Sequence, residues 1–343
     1  MAELLITVVK ILVIILVVLT GVAYMTLAER KVSAFIQWRL GPNRVGPWGL
    51  LQPIADGLKF VLKEDFTPPG ANRALHALAP MLAMTPALLT YAVIPFGGTL
   101  PVFGHEVRLI VADLSIGILF IFAIASLGVY GIAVGGWSSN NKYALLGSLR
   151  ASAQMISYEI AMGLAVIPVI MFVGSLKLTD IVAHQGANPW FVLSQPLSCL
   201  LFVIAAFAET NRLPFDLPEA EPELVAGYHT EYSSMKFAMF MLGEYVNMMT
   251  ASALIVTLFF GGYHLPWVET LPFFQANAAW LALLQVATFL AKVALWLFLF
   301  LWVRWSLPRF RYDQLMGLGW RVMLPLALAN LAFYGLWSLK DLP

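Results

Sequence analysis

The sequence predicts an all-α integral membrane protein with about eight transmembrane helices and a surface amphipathic helix. Of its 343 residues, 60% are hydrophobic and 11% are charged, and the mean hydropathy is +0.82. Soluble domains are roughly half apolar and about one quarter charged. The apolar residues also form runs of about 20, the length that crosses a bilayer core of about 30 Å as a helix. We therefore expect one polytopic membrane domain over residues 1–343.

Eight apolar runs satisfy this length rule. They are Leu4–Met25, Leu75–Pro95, Leu109–Val134, Ala151–Val173, Phe191–Ala208, Phe237–Phe260, Trp280–Val303 and Val322–Trp337. The first run has no basic segment before it and no small-residue cleavage site after it, so we expect a retained span rather than a signal peptide.

The basic residues predict the orientation of these spans. Fifteen of the 20 Lys and Arg residues fall in four alternate connections, at about residues 30–73, 137–150, 209–236 and 304–321. Basic residues accumulate in cytoplasmic loops. We therefore expect these four connections in the cytoplasm and both termini on the outer side.

The first of these connections contains a predicted amphipathic helix, LLQPIADGLKFVLKE, at residues 50–64. Its apolar positions, including Ile54 and Leu58, fall on one helical face, while Asp56 and Lys59 fall on the other. The segment is too short and too charged to span, so we expect it to lie along the membrane surface.

Four ionisable side chains lie inside or at the edge of predicted spans: Asp113, Glu159, Glu244 and Lys292. Charged groups at this depth are costly and commonly mark ion or proton routes. For Glu159 and Glu244, well inside their spans, we favour proton handling over a purely structural pairing. For Asp113 we favour a structural charge near a helix start at the interface.

The stretch ETNRLPFDLPEAEPELVAGYHTEY, residues 209–232, holds six carboxylates against one basic residue, Arg212. The carboxylates are Glu209, Asp216, Glu219, Glu221, Glu223 and Glu231. Mutual repulsion disfavours full ionisation of such a cluster, which can exchange protons near neutral pH. A solvated loop or a docking surface is the alternative, although the three prolines favour an ordered segment.

The chain lacks the sequence features of a self-contained redox enzyme. It has no dinucleotide fingerprint, no phosphate-binding loop and no metal-binding spacing among its five histidines. Its only cysteine, Cys199, can neither form an internal disulfide nor ligate an iron–sulfur cluster alone. We expect no cofactor bound by this chain, and the net charge of +1 gives no indication of nucleic acid.

Four stretches resemble closely the quinone-site membrane subunit, called H, of NADH:quinone oxidoreductase (respiratory complex I). They are ERKVSAFIQWRLGPNRVGPWGLLQPIADGLKF, GGWSSNNKYALLGSLRASAQMISYE, ETNRLPFDLPEAEPELVAGYHTEYSSMKFA and PRFRYDQLMGLGW. They fall in the four basic connections in the order of that family. The chain departs from many relatives at Ser234, where they have Gly, and from some at Gly128, where they have Glu.

The resemblance implies a quinone cavity and an acidic proton route. The cavity residues would be Glu29, Arg30, Arg39, Asp56 and Lys59. The proton route would comprise Glu159, Glu209, Asp216, Glu219, Glu221, Glu223, Glu231 and Glu244. It further implies a cell inner membrane location, with partner subunits carrying FMN and iron–sulfur clusters and with adjacent membrane subunits and lipid as neighbours.

Two other functions remain open. One is the homologous coupling subunit of a membrane-bound hydrogenase, against which the intact GPNRVGPWGLLQPIADGLK and LPFDLPEAE stretches argue. The other is a stand-alone secondary cation/proton transporter, supported only by the ionisable groups within spans. No matched pair of broken half-helices, as in inverted-repeat transporters, is visible in the sequence.

Overall fold

The computed structural model describes residues 2–102, 105–216, 225–266, 268–269 and 271–340. Within these ranges, seven helices are long and apolar enough to cross a membrane. They are α1 (Ala2–Ile36), α3 (Arg73–Leu89, continued by a 3₁₀ turn at Thr90–Val93), α4 (Gly117–Ser138), α5 (Lys142–Val173), α9 (Ser234–Phe259), α11 (Ala278–Ser306), and α12 (Tyr312–Gly317) joined through a π-helical turn (Leu318–Met323) to α13 (Leu324–Lys340). The predicted all-α membrane fold is confirmed.

The shorter elements lie between these helices. They are α2 (Gln52–Leu62), α6 (Leu178–Ala187), α7 (Phe191–Ser194), α8 (Pro196–Glu209), α10 (Pro272–Ala276), 3₁₀ turns at Pro47–Gly49 and Gly227–His229, and strands β1 (Thr99–Val102) and β2 (His105–Arg108).

The predicted fifth span, Phe191–Ala208, is broken in two. Gln195 has a non-helical backbone (φ −133°, ψ 57°), and Pro196 begins α8, where its missing N–H costs no helical hydrogen bond. The 14 residues of α8 fall short of the roughly 20 needed to cross a bilayer core. The predicted fifth span is therefore a short apolar helix rather than a helix long enough to cross a membrane.

Helix boundaries differ substantially from the predictions at four spans. The fourth begins at Lys142 rather than at Ala151, and the last begins at Tyr312 rather than at Val322. The first helix continues past Met25 to Ile36 and so carries Glu29 and Arg30 on helix rather than in a loop. The third begins at Gly117 instead of Leu109, because β1 and β2 form an antiparallel hairpin that pairs Thr99 with Arg108. Apolar residues 109–116 follow that hairpin as irregular chain, so hydropathy alone placed the helix start too early.

The amphipathic helix is observed as α2, with none of its residues buried. Pro53 stands in its first turn, where proline is tolerated, and the helix ends before Lys63. Its apolar side chains Ile54, Leu58 and Val61 are each more than half exposed. This face is available to a membrane surface, as the sequence predicts.

The packed core is formed by α3, α4, α5, α8 and α9, whereas the outer faces of α1 and α11 are largely exposed. The approach of α3 to α4 is close, because a Cβ on Gly131 would lie 2.5 Å from the backbone nitrogen of Ala83. Only glycine fits there without displacing α3. The packing of these helices fixes the positions of the helix ends, where the charged residues of the next section lie.

Candidate functional site

The four basic connections meet at one end of the helices, which we call the basic end. The Asn72 amide donates to the Ser138 carbonyl at 3.0 Å, joining the first connection to the second. Asn141 Nδ2 donates to Glu231 Oε1 at 2.6 Å, which joins the second connection to the third. The Phe310 amide donates to the Pro214 carbonyl at 3.2 Å, so the fourth connection also lies here.

A cavity of about 380 Å³ opens at the basic end between α1, α2, α9 and α11. Its lining comprises Thr26, Glu29, Arg30, Ser33, Asp56, Phe60, Arg212, Phe237, Met241, Tyr245, Arg304 and Trp305. Three of the five predicted quinone residues, Glu29, Arg30 and Asp56, are thereby brought together. The apolar and aromatic surface with a few convergent polar groups is typical of a small-molecule site.

Glu29 is a carboxylate of this cavity with two partners from other helices. It forms an ion pair with Arg304 of α11 and accepts a hydrogen bond from the Tyr245 hydroxyl of α9. The residue is 9% exposed, so the extension of α1 past Met25 places a charge in largely buried surroundings. Such a charge is stable only when paired and hydrogen-bonded, and Arg304 and Tyr245 supply both.

Arg30 and Asp56 connect α1 to the amphipathic helix at the rim of the cavity. Their side chains form an ion pair at 2.7 Å, and Gln52 Nε2 donates to the other Asp56 oxygen at 3.1 Å. Because the Arg30 side chain is 45% exposed, the pair contributes little stability. Its effect is to fix α2 beside the cavity.

Arg212 and Glu244 extend the charged lining toward the interior. The Arg212 guanidinium lies 4.3 Å from the ring centroid of Tyr245 and 3.5 Å from Glu244 Oε2. The Tyr228 hydroxyl donates to Glu244 Oε1 at 2.6 Å. Behind them, a void of about 10 Å³ borders Glu29, Arg212 and Arg304. The buried Glu244 is thus linked to the cavity through Arg212.

The loop that carries Arg212 is fixed to α5 by one amide. Gln154 Nε2 donates to the carbonyls of Ala208 and Phe215 at 2.7 and 2.8 Å and to Asn211 Oδ1 at 3.1 Å. Gln154 is fully buried, and the loop side chains Asn211 and Arg212 are themselves buried. The connection after α8 therefore runs inside the protein rather than over its surface.

Glu159 and Glu209 form a second, separate group in the interior. They lie within electrostatic range of each other, on α5 and at the end of α8. Glu209 borders a void of about 20 Å³ that is also lined by Asn247 and Thr250. Of the predicted proton residues, Glu159 and Glu209 thus lie near each other, while Glu244 has a different set of partners.

Other predicted residues occupy different positions. Asp216 pairs with Arg309 at 3.1 Å, and Glu231 bonds to Asn141 at the surface. Arg39 and Lys59 are not among the side chains that line the cavity: Arg39 is exposed and donates to Gln37, and Lys59 lies over the Phe60 ring. Glu219, Glu221 and Glu223 lie outside the described residues.

The other two charges predicted near spans have protein partners at the opposite end of the helices. Asp113 pairs with Lys177 at 2.8 Å, and this hydrogen bond raises the pKa of the Lys177 ammonium. Lys292 Nζ donates to the carbonyls of Phe260, Gly262 and His264 at 2.8, 2.9 and 2.7 Å. Asp113 and Lys292 therefore have structural partners within this chain.

Sequence reasoning missed Tyr245 and Arg304 as cavity residues. Arg304 was counted only among the basic residues that predict topology, and Tyr245 is one more aromatic residue in an apolar span. A useful indication was present in the pair EY at residues 244–245, a carboxylate beside a phenol inside a span. Within the described ranges, no group of three or more His, Cys, Asp or Glu side chains is arranged to hold a metal ion.

Comparison with known proteins agrees with the resemblance found in the sequence. The family model of NADH dehydrogenase matches residues 9–335. The H 1 subunit of the NADH-quinone oxidoreductase of Geobacter metallireducens is 53% identical over 330 residues, covering 96% of this chain and 95% of that protein. The H 1 subunit of the Cytophaga hutchinsonii enzyme is 53% identical over 91% of this chain and 90% of its own length. The H subunit of the Salinibacter ruber enzyme is 52% identical over 91% and 90% of the two chains. The chain therefore belongs to the NADH dehydrogenase family, the family of these H subunits.

Proposed function

We propose that this chain is the membrane subunit of a proton-translocating NADH:quinone oxidoreductase that forms part of the quinone cavity and the acidic relay. The observation that carries the proposal is the cavity at the basic end, where Glu29, Tyr245 and Arg304 meet beside the amphipathic helix. The names of the relatives favour this function over a hydrogenase subunit or a lone transporter.

The lining of the cavity suits a quinone head group. A quinone presents two carbonyl oxygens, which accept hydrogen bonds, on an apolar ring. Arg30, Arg212 and Arg304 supply donors and positive charge, while Phe237 and Trp305 supply apolar surface. Positive groups in a site of low dielectric stabilise negative charge as it develops on a quinone oxygen. Tyr245 is the phenol nearest this chemistry, and its hydrogen bond to Glu29 fixes its orientation.

Reduction of a quinone to a quinol takes two electrons and two protons. In the proposed enzyme the electrons come from NADH through FMN and iron–sulfur clusters of partner subunits, and this chain binds none of these groups. Its own carboxylates hold protons and respond to the charge of the reduced quinone. Arg212 links the cavity to Glu244, so a new negative charge beside Arg212 weakens its hold on Glu244 and favours proton uptake there.

The proposal includes a location and an orientation. Residues 1–343 form one polytopic domain in the cell inner membrane, with the basic end in the cytoplasm and both termini outward. Peripheral subunits dock on the basic end, other membrane subunits and lipid contact the helices, and nucleic acid is not a partner. The exposed apolar face of α2 supports contact with the membrane surface at the mouth of the cavity.

Photolabelling of the purified complex tests the cavity assignment. A photoreactive quinone analogue is expected to label α1 near residues 26–33 and α9 near residues 237–245, and excess unlabelled quinone should prevent the labelling. The exposed N-terminal part of α1, near residues 4–16, provides an internal control for lipid-phase labelling. Labelling confined to that control region, or unaffected by competing quinone, would show that this cavity is not the quinone site.

A further inference from the structure

His76, in the first turn of α3, is a fully buried imidazole. Its side chain is 0% exposed, and in the part of the chain that the structure describes neither ring nitrogen has a partner in hydrogen-bonding geometry. The Glu231 backbone approaches the ring without completing such a bond. The ring stacks on Tyr232, with centroids 4.0 Å apart and an interplanar angle of 4°. Packing alone therefore does not account for the choice of histidine.

Buried polar groups are almost always hydrogen-bonded, and an exception requires an explanation such as a catalytic role. A phenylalanine at position 76 would keep the stack on Tyr232 and leave no nitrogen unpaired. His184 of α6 also stacks on a ring, that of Phe191 at 5.4 Å, but it is only partly buried, and one of its nitrogens, Nδ1, lacks a partner among the described residues where both nitrogens of His76 do. The two ring nitrogens of His76 lose their hydration on burial, and we take this as an indication that they have a functional role.

The charged groups that act on His76 come from three segments. Asp65 follows α2, Glu231 belongs to the connection before α9, and Lys236 lies in the first turn of α9. Lys236 pairs with Asp65 at 2.9 Å, so these two charges offset each other. The neighbouring helix α4 has no Asp, Glu, Lys, Arg or His. Glu231 is therefore the nearby carboxylate whose side-chain partner is neutral, the Asn141 amide.

A depression of about 330 Å³ at the basic end is lined in part by Glu231, whose backbone lies beside the His76 ring. Glu231, Asn141 and Ser139 line it, and Asn141 Nδ2 donates to the Glu231 carboxylate. The adjacent Ser138 hydroxyl lies 3.2 Å from the hydroxyl of Tyr232, the residue on which His76 stacks. The imidazole thus lies one residue layer behind an open polar surface, and neither His76 nor Glu231 lines the quinone cavity.

An aromatic cluster connects His76 to the buried Glu244. Tyr232 contacts Phe240 with centroids 4.8 Å apart, and Phe240 contacts Tyr228 at 5.4 Å. The Tyr228 hydroxyl donates to Glu244. The buried ring of His229 contacts both Tyr228 and Phe240, and its Nε2 lies 3.8 Å from Glu244 Oε1, so the cluster places a second imidazole beside this carboxylate.

We propose that His76 is a proton-uptake site that supplies the acidic relay from the depression at Glu231, separately from the quinone cavity. The inference rests on the proposed function. Glu231 takes a proton from water, an imidazole nitrogen accepts that proton through its lone pair, and the imidazolium later releases it to a relay carboxylate. No electron moves in this step.

The test uses the assembled complex with His76→Phe, which keeps the stacked ring but cannot bind a proton. His184→Phe on α6 is the matched control. Three quantities are measured between pH 6 and 8: NADH oxidation by a water-soluble acceptor, quinone reduction, and protons translocated per NADH. We expect the rate of proton translocation to drop roughly tenfold. This is less than the hundredfold rate effect typical of a general acid–base group, because other carboxylates can also take up protons. The control should behave as wild type.

An assembled His76→Phe complex with the wild-type proton yield and pH profile overturns the inference. If this variant does not assemble, His76→Gln, which hydrogen-bonds without titrating, is judged by the same criteria. Failure of the proposed function is distinguishable, because it appears as unchanged quinone reduction in cavity variants such as Tyr245→Phe. The result for His76 is read from the protons moved per NADH.

Discussion

The two ends of the helices hold their charged residues in different ways. At the basic end, Glu29, Arg30, Asp56, Arg212 and Arg304 border a cavity of about 380 Å³. At the opposite end, the charge of Lys292 is satisfied by protein atoms. Lys292 lies over the Trp190 ring and donates to three carbonyls that follow α9, where its charge complements the negative end of the helix.

The opposite end also contains a closed ion pair of His264 with Glu269 at 2.7 Å. Burial raises the pKa of the Glu269 carboxyl, but the hydrogen bond and charge of His264 outweigh that effect and leave the pKa below its ordinary value. Depth in the membrane does not by itself identify a functional charge. The distinguishing feature is whether a charged group faces open space or is fully occupied by its neighbours.

The largest effect is expected for Arg304→Met. It leaves the Glu29 carboxylate without its cation, and breaking a buried pair costs about 3–5 kcal/mol in free energy of unfolding. Quinone reduction should be lost and the thermal stability of the complex lowered. Arg311→Met is the control, because Arg311 and its partner Asp313 are more than 70% exposed.

The double variant Glu29→Gln/Arg304→Met removes both charges of that pair. Assembly should recover, because no unpaired charge remains, while quinone reduction should stay low. Recovery of both assembly and quinone reduction would mean that the pair serves only the fold, as the charges at the opposite end do.

Lys292→Met should separate stability from activity. Loss of three hydrogen bonds from a charged donor is expected to lower the free energy of unfolding by about 2–3 kcal/mol. Since Lys292 faces no cavity described at the basic end, complex that assembles should reduce quinone at the wild-type rate. Lys10→Met, which removes one 2.9 Å bond to the Ile110 carbonyl, is the milder control. A selective loss of quinone reduction in the assembled Lys292→Met complex would show that Lys292 is more than a structural charge.

Tyr245→Phe is expected to reduce activity and also to lower stability, because the lost hydrogen bond is buried. The variant keeps the ring under Arg212 but loses the hydroxyl that donates to Glu29. A hydrogen bond to a charged group is worth about 1.5–3 kcal/mol, which corresponds to roughly a ten- to hundredfold lower rate of quinone reduction. Tyr334→Phe, which loses a bond to the Ser194 carbonyl, is the control and should retain its rate. Equal losses in both variants would contradict a specific role for Tyr245.

The smallest effect is expected at Ser234, which fixes α9 against α2 beside the cavity. Its φ of 55° favours glycine, whereas its hydroxyl donates to the Phe60 carbonyl at 2.9 Å. Relief of backbone strain and loss of this bond nearly cancel, so Ser234→Gly should change stability by less than about 1 kcal/mol. Ser234→Ala loses the bond and keeps the strain, so it should be the less stable variant by thermal inactivation. The reverse order would show that strain is not stored here.

The fold was predictable from the sequence because apolar length and basic loops are local properties. The break at Gln195 and the hairpin at Thr99–Arg108 were missed, since both lie within apolar stretches whose hydropathy does not change. At the site, Glu29, Arg30 and Asp56 came from the family resemblance. Tyr245 and Arg304 depend on how α9 and α11 pack around α1, which no local pattern reports.

Gln154 has a mechanical consequence for the loop that it holds. Its amide nitrogen lies within hydrogen-bonding distance of three acceptors on residues 208–215, so both ends of this segment are tied to one side chain of α5. The segment is thereby attached to α5, the helix that carries Glu159, while it also carries Arg212 at the cavity. We expect a displacement of α5 to be felt at Arg212 through this amide.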